Sequence, residues 1–170
     1  MLSLSPERFL RIHQGTVTSQ PIKGTAPRHI DPEQDTALAR ALLNSEKDRA
    51  ENVMITDLLR NDLGQFCQTG SVNVTELCGL HSYNNVHHLV STVEGKLAPG
   101  VSAGQMLLAT SPGGSITGAP KKRAVEIIAE LEPAPRGAYC GSLFILGGHN
   151  WLQSSIAIRT LEVSNNTVHC

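Results

Sequence analysis

A chain of 170 residues, 40% hydrophobic and 17% charged with 15 glycines and 9 prolines, can bury one core but not two ordinary domains, and it is neither disordered nor of low complexity. No apolar run approaches the roughly 18 to 20 residues that cross a bilayer, and residues 1–7 are no basic, apolar export signal, so a soluble, cytoplasmic protein is expected. A net charge of -1 and 4% aromatic residues supply neither a basic phosphate-tracking face nor a base-stacking platform, which argues against nucleic acid and membrane partners.

Residues 2–22 alternate and break at Gly15, which predicts two strands joined by a turn. Asp31-Pro32-Glu33-Gln34 predicts a helix start: Asp caps, Pro takes the first helical position and Glu33 favours the dipole. Its apolar stripe is Ala37, Leu38, Ala41 and Leu42. A second helix starts at Ser45, runs through Ala50, Val53, Met54 and Leu58, and stops near Gly64. Strands are expected at 70–74 and 86–93, then a short helix around 105–109. A glycine-rich loop, 112–118, leads into a helix opened by Pro120 and striped by Ala124, Ile127, Ile128 and Leu131. Residues 141–146, a Gly147-Gly148 turn and residues 151–163 read as a hairpin. Asn165-Asn166 followed by 167–170 reads as the start of a returning strand that is cut off, which suggests a piece of a larger mixed α/β fold. Cys67, Cys78, Cys140 and Cys170 are too scattered for a zinc site or disulfide pattern and read as free thiols. His87 and His88 sit in an extended segment, so at most one of them faces a given site.

Five places admit chemistry. Backbone N–H groups around Gly113, Gly114 and Gly118, reinforced by Lys121, Lys122 and Arg123, form an anion cradle or else a plain loop before a capped helix. Ala119-Pro120 after Gly118 rules out a Walker-type nucleotide loop. Lys23 in Pro21-Ile22-Lys23-Gly24-Thr25 is either a desolvated amine nucleophile or an exposed lysine before a turn. Glu7 is either a general acid or a solvated carboxylate. Asp48 and Glu51 share a helix face that offers oxygen ligands to a hard cation, or simply a charged surface. Arg159, within an apolar strand, either points outward or meets a carboxylate or phosphate bidentately.

Seven segments in one order carry a resemblance that spans almost the whole chain. They are Ser5-Pro6-Glu7-Arg8-Phe9, Pro21-Ile22-Lys23-Gly24-Thr25, Asp48-Arg49-Ala50-Glu51-Asn52, Asp57-Leu58-Leu59-Arg60-Asn61-Asp62, His88-Leu89-Val90-Ser91, Pro112-Gly113-Gly114-Ser115-Ile116-Thr117-Gly118-Ala119-Pro120-Lys121 and Ile158-Arg159-Thr160. Together they resemble the C-terminal catalytic part of the chorismate-using enzymes, a family that includes aminodeoxychorismate, anthranilate, isochorismate and salicylate synthases. The resemblance implies an α/β fold of α+β type, rich in antiparallel sheet with outer helices, and a reaction on chorismate with Mg²⁺. It implies that Glu51 binds the metal and that Glu7 protonates the departing C4 hydroxyl. It also implies that His88 lies in the active site and that Gly24, Thr25, Thr117, Gly118, Tyr139 and Arg159 contact substrate. Lys23 stands where anthranilate and isochorismate synthases carry alanine and aminodeoxychorismate-forming members carry lysine. This implies a covalent route at C2, with ammonia from a glutamine amidotransferase then attacking C4, on the path to para-aminobenzoate and folate. An anthranilate-forming enzyme and a non-catalytic remnant or interaction module are the alternatives. Family members are longer at both ends, and their C-terminal segment carries a second metal-binding glutamate. Residues 1–170 are therefore expected to be a partial catalytic domain that binds Mg²⁺ and chorismate poorly alone.

Overall fold

The computed structural model describes residues 1–164 and 167–169. Ten strands and four helices follow in chain order among these residues. They are β1 (Leu2–Ser3), β2 (Arg8–His13), β3 (Thr16–Gln20), β4 (Ile22–Pro27), α1 (Pro32–Leu43), α2 (Glu46–Gly64), β5 (Asn73–Ser82), β6 (Val86–Lys96), α3 (Ala103–Thr110), α4 (Lys121–Leu131), β7 (Ser142–Gly147), β8 (Trp151–Ile156), β9 (Thr160–Ser164) and β10 (Thr167–His169). A 3₁₀ turn, Gly114–Ile116, lies between α3 and α4. The expected α+β architecture is what the chain adopts: a seven-stranded sheet ordered β4-β6-β3-β2-β8-β7, with β5 on the other edge of β6. All its pairings are antiparallel. A second sheet pairs β9 with both β1 and β10. The Asn165-Asn166 turn and Cys170 lie outside the described residues.

Both helix starts read from sequence are present. The Asp31 carboxylate accepts from the Glu33 N–H with Pro32 in the first turn, and Ser45 Oγ accepts from the Asp48 N–H. The buried face of α2 is not the expected one. Val53 and Met54 are exposed, whereas Ile55, Leu59 and Leu63, four residues apart, enter the core with Asn52 and Thr56 beside them. These side chains pack against Leu10, Ile12, Val17 and Leu152 of the sheet and against Met106 and Leu107 of α3. Burying each leucine or isoleucine contributes about 1.5–3 kcal/mol.

The polar pair on this face is satisfied inside. Asn52 Nδ2 donates to the Leu89 carbonyl at 3.1 Å, Ser91 Oγ donates to Asn52 Oδ1, and Cys78 N–H donates to Ser91 Oγ at 2.9 Å. One amide thus fixes α2 against β6, and through Ser91 against β5. Among the described residues no buried side-chain polar atom lacks a partner.

Three further expectations are corrected. The strand read at 70–74 begins at Asn73 and runs to Ser82. The α4 stripe buries no residue: Ile127 and Leu131 are exposed. Arg159 is not within a strand. It sits between β8 and β9 with φ +49° and is exposed. Ala157 still donates to the Gly141 carbonyl in register with the β7–β8 ladder, and the chain kinks beyond it, where Ile158 N–H turns back onto the Ile156 carbonyl. Among the described residues no helix is long and apolar enough to cross a membrane. Cys67, Cys78 and Cys140 are free, as expected, and all three are buried.

Candidate active site

Strand pairing brings Glu7 and Lys23 together. Arg8 pairs with Gln20, and its guanidinium donates to Gln20 Oε1 at 2.6 Å. Glu7, one residue before that pair, therefore lies at the same end of the sheet as residues 21–23, just after it. Both positions adjoin a register shift. β2 gains a residue against β3 and β8 between Arg8 and Arg11, and β4 gains one against β6 between Ile22 and Thr25. Such bulges re-aim side chains out of the ordinary alternation. Within the second bulge, Gly24 has φ +92°, and a Cβ there would stand 2.9 Å from Asp48 Cβ and 3.1 Å from Leu42 Cδ1. Glycine is needed there for both the left-handed backbone and the close approach of α1 and α2.

Glu7 is buried, with its carbonyl accepting from the Ile156 N–H at 3.2 Å. Burial raises its carboxyl pKa, and the Ser115 hydroxyl and the Lys23 charge pull it back. Lys23 is half-buried, and its Nζ donates to the Ser115 carbonyl at 3.3 Å. A buried carboxyl beside a lysine side chain brings a proton donor and a nitrogen to one place.

His88 completes this cluster from β6. It is buried, its Nδ1 shares a hydrogen bond with Thr25 Oγ1 at 2.8 Å, and its ring also bonds the Gly24 backbone. Burial lowers its pKa; the Gly24 bond opposes the shift and the nearby Arg159 charge adds to it, so the ring is neutral at pH 7. His87 points to the opposite face, where Ser82 Oγ lies 2.7 Å from Nδ1 and Asp35 Oδ1 3.1 Å from Nε2. The expectation that only one of the pair faces a given site is met.

In the glycine-rich loop the Thr117 and Gly118 N–H groups are turned onto the chain's own backbone. The N–H of Gly118 donates to the Gly114 carbonyl at 3.1 Å, Thr117 N–H to the same oxygen at 3.3 Å, and Thr117 Oγ1 to the Gly113 carbonyl at 3.0 Å. Lys121 is not free to bind an anion either: its Nζ donates to Asp62 Oδ2 at 2.5 Å and to the Thr110 carbonyl at 3.0 Å. Arg123 reaches Glu126 and Glu130. The first two glycines serve packing. A Cβ on Gly113 would lie 2.7 Å from Ile156 Cδ1, and one on Gly114 would overlap Leu58 Cδ2.

The remaining expected residues are spread around this cluster. Tyr139 is exposed and belongs to a group with Cys140, Arg136 and Glu132, where the Cys140 thiol above all raises its pKa. Arg136 ties that group to the loop through the Ile116 carbonyl at 3.2 Å. Glu51 stands on α2 with Lys47 Nζ 4.0 Å away, a solvent-screened pair. The Asp48 carboxylate takes part in the helix cap, where it accepts from Ser45 Oγ at 2.5 Å. Among the described residues no three His, Cys, Asp or Glu side chains cluster as a metal site. Glu51 alone fits one position of a Mg²⁺ sphere, an ion that takes one or two carboxylates and fills the rest with water and substrate oxygens.

Sequence reasoning missed Ser115, Asn52 and Ser91. For Asn52 the signal lay in a polar residue at a helix position in phase with Ile55 and Leu59; Ser91 and Ser115 carried none beyond their place in a strand and after two glycines.

Comparisons with known proteins agree on one family. The chorismate binding enzyme family matches residues 1–170. Aminodeoxychorismate synthase component 1 of Klebsiella aerogenes is 53% identical over all 170 residues, which span 38% of that protein, and the Escherichia coli enzyme is 51% identical over the same share. Anthranilate synthase component 1 of Streptomyces coelicolor is 45% identical over 169 residues, 99% of this chain and 33% of that one. Among solved structures, anthranilate synthase component I of Streptococcus pneumoniae superposes with TM-score 0.88 at 40% identity, over 98% of this chain and 36% of that chain. The menaquinone-specific isochorismate synthase of Escherichia coli shares the fold at TM-score 0.84 and 24% identity, over 98% of this chain and 38% of that chain. The chain thus spans well under half the length of the relatives it matches, and it belongs to the chorismate binding enzyme family.

Proposed function

We propose that residues 1–170 are the acid and nucleophile part of an aminodeoxychorismate synthase component I, which aminates chorismate at C4 to 4-amino-4-deoxychorismate. The observation that carries this reading is Lys23 on a bulge, facing Glu7 across Ser115. The Lys23 amine would attack C2 of the ring as Glu7 protonates the departing C4 hydroxyl. Ammonia would then attack C4 and release the lysine. Two displacements replace one harder step, and the lysine and the acid are already held in one place. Neutral His88 would orient the Thr25 hydroxyl, and Arg159 and Thr117-Gly118 would contact substrate. Tyr139 would close that side from the Arg136 group. Glu51 would hold Mg²⁺, which supplies charge neutralisation for the substrate carboxylates.

The relatives' name "component 1" supports a partner: a glutamine amidotransferase, separate or fused, as the ammonia source. Folate precursor synthesis in the cytoplasm belongs to the same reading. The anthranilate-forming alternative is disfavoured by Lys23 and by the lower identity of that relative. The test is product analysis on the full reading frame with chorismate, Mg²⁺ and ammonium. Aminodeoxychorismate without pyruvate is expected. Anthranilate with pyruvate would transfer the chain to the other branch, and no product would favour a non-catalytic remnant.

A further inference from the structure

The tip of the β5–β6 hairpin stands against the candidate site. Residues 83–85 join the two strands, and the turn closes with the Tyr83 N–H donating to the Val86 carbonyl at 2.8 Å. The Tyr83 ring meets His88 edge-on, with ring centroids 5.8 Å apart and planes 61° apart, a separation and attitude at which aromatic rings attract. His88 is thus gripped twice: Thr25 Oγ1 holds Nδ1 at 2.8 Å, and the Tyr83 ring stands against the imidazole. A hairpin tip with a side chain 52% exposed is ordinarily the loose end of a sheet. This one is clamped by Arg28, the residue after β4. Arg28 N–H donates to the Asn85 carbonyl at 3.1 Å, and its Nη1 donates to the Tyr83 carbonyl at 2.7 Å. The same guanidinium is pinned by Asp35 of α1, whose carboxylate accepts from Arg28 Nε at 2.9 and 3.1 Å and from the His29 N–H at 2.8 Å.

We propose that Tyr83 is a positioning residue for His88: its ring, fixed by the Arg28 clamp on the hairpin tip, keeps the imidazole in the orientation that bonds Thr25. An imidazole bonded at one nitrogen still has a broad torsion about its Cβ–Cγ bond, and a ring standing against it removes that freedom. The contact is made by the tyrosine ring and not by its hydroxyl. The other ionisable side chains on elements packed against β6 are engaged elsewhere. His81 lies 2.9 Å from Glu76, Lys23 donates to the Ser115 carbonyl, Asp35 faces His87, and Asp48 and Glu51 pair along their own helix. The charge that acts on His88 is Arg159. The proposal rests on the reading of His88 as a residue of the amination site and adds what holds it there.

Tyr83→Ala removes the ring and Tyr83→Phe keeps it. Both change a side chain that is more than half exposed, so both should fold with an unfolding midpoint close to that of the wild type. In the full reading frame, carrying carbon-labelled histidine, the His88 ring is titrated by NMR without substrate. Burial holds its pKa down, so in Tyr83→Ala, where water gains the ring, the titration should move up toward the ordinary histidine value. With chorismate, Mg²⁺ and ammonium, Tyr83→Ala should lower kcat/KM about two- to tenfold, the size of an edge-on aromatic contact. Tyr83→Phe should restore both the titration and kcat/KM. In a His88→Gln background Tyr83→Ala should cost nothing further, because Tyr83 acts through that ring. An unmoved His88 titration, an unchanged kcat/KM in Tyr83→Ala, an equal loss in Tyr83→Phe, or additive losses with His88→Gln would each overturn the proposal. Wild-type chain that makes no aminodeoxychorismate while the His88 titration still moves in Tyr83→Ala would overturn the amination reading alone.

Discussion

The face of the sheet covered by α2 and the side formed by α4 and β7 are built on different terms. Under α2 the core is closed: Leu10, Ile12, Val17 and Leu63 have no exposed surface, and the polar Asn52 and Ser91 are equally buried and fully bonded. On the other side α4 buries no residue, and Phe144, Ile145 and Leu146 of β7 are each more than half exposed. The candidate site straddles this division. Glu7 and His88 are buried and Lys23, Gly24 and Ser115 partly so, whereas Tyr139 and Arg159 stand in the open. Glu7 and Lys23, the proposed acid and nucleophile, are therefore held by packing, while Tyr139 and Arg159, two of the residues expected to contact substrate, are open to solvent.

The largest effect should come from the closed half. Glu7→Gln in the full reading frame is expected to lower kcat about 10²- to 10⁴-fold, the usual contribution of a positioned general acid. The same change should raise the melting temperature at pH 7. Burial favours the neutral carboxyl, so Glu7 costs stability once pH exceeds the ordinary glutamate pKa, and Gln removes that cost. Below pH ~4 both side chains are neutral in both states and the gain should vanish. A catalytic loss without that stability gain would contradict the account of Glu7 as a buried acid.

Next in size is the anchor of the loop. Lys121 and Asp62 are about one-fifth and one-tenth exposed, and Lys121→Met leaves the Asp62 carboxylate unpaired. Denaturant unfolding should show a loss of about 3–5 kcal/mol. A loss below about 1 kcal/mol would mean that the loop is not held from that side, and would weaken the placement of Ser115 with it.

The smallest effect should fall on the open half. Leu131→Lys on α4 is expected to change stability by no more than about 0.5 kcal/mol in residues 1–170, because that side chain already faces solvent. A larger loss in the full reading frame than in residues 1–170 would show that the rest of the protein covers this face. Equal, small changes in both would show that it stays open.

Much of the fold was legible because its signals are local. Asp31-Pro32 and Ser45 announce two helix starts by capping chemistry alone, and the Gly15 and Gly147-Gly148 turns separate the strands they join. The errors came where tertiary contacts decide. The apolar spacing of Val53 and Met54 suggested one face of α2, but a bonded asparagine makes the adjoining face the buried one. The run from Ser154 to Ile158 reads as continuous strand, and only the turn of the Ile158 N–H back onto the Ile156 carbonyl breaks it before Arg159. The glycines of 113–118 signalled backbone donors, but the Gly118 N–H turns back onto the Gly114 carbonyl, and Gly113 and Gly114 serve close packing as well. Register shifts that aim Lys23 and Glu7 at one turn have no signature in either residue, so their pairing rested on the family resemblance until the strands were placed.

The claim that Lys23 is the nucleophile is tested most directly by mapping a covalent adduct. The full reading frame is incubated with chorismate and Mg²⁺ in the absence of ammonia, quenched, digested and examined by mass spectrometry. The expected result is a chorismate-derived mass on the peptide containing Lys23, absent from Lys23→Ala and discharged by added ammonium. An active preparation in which Lys23 stays unmodified throughout turnover would contradict the covalent route, and with it the role assigned to the bulge that presents this lysine to Glu7.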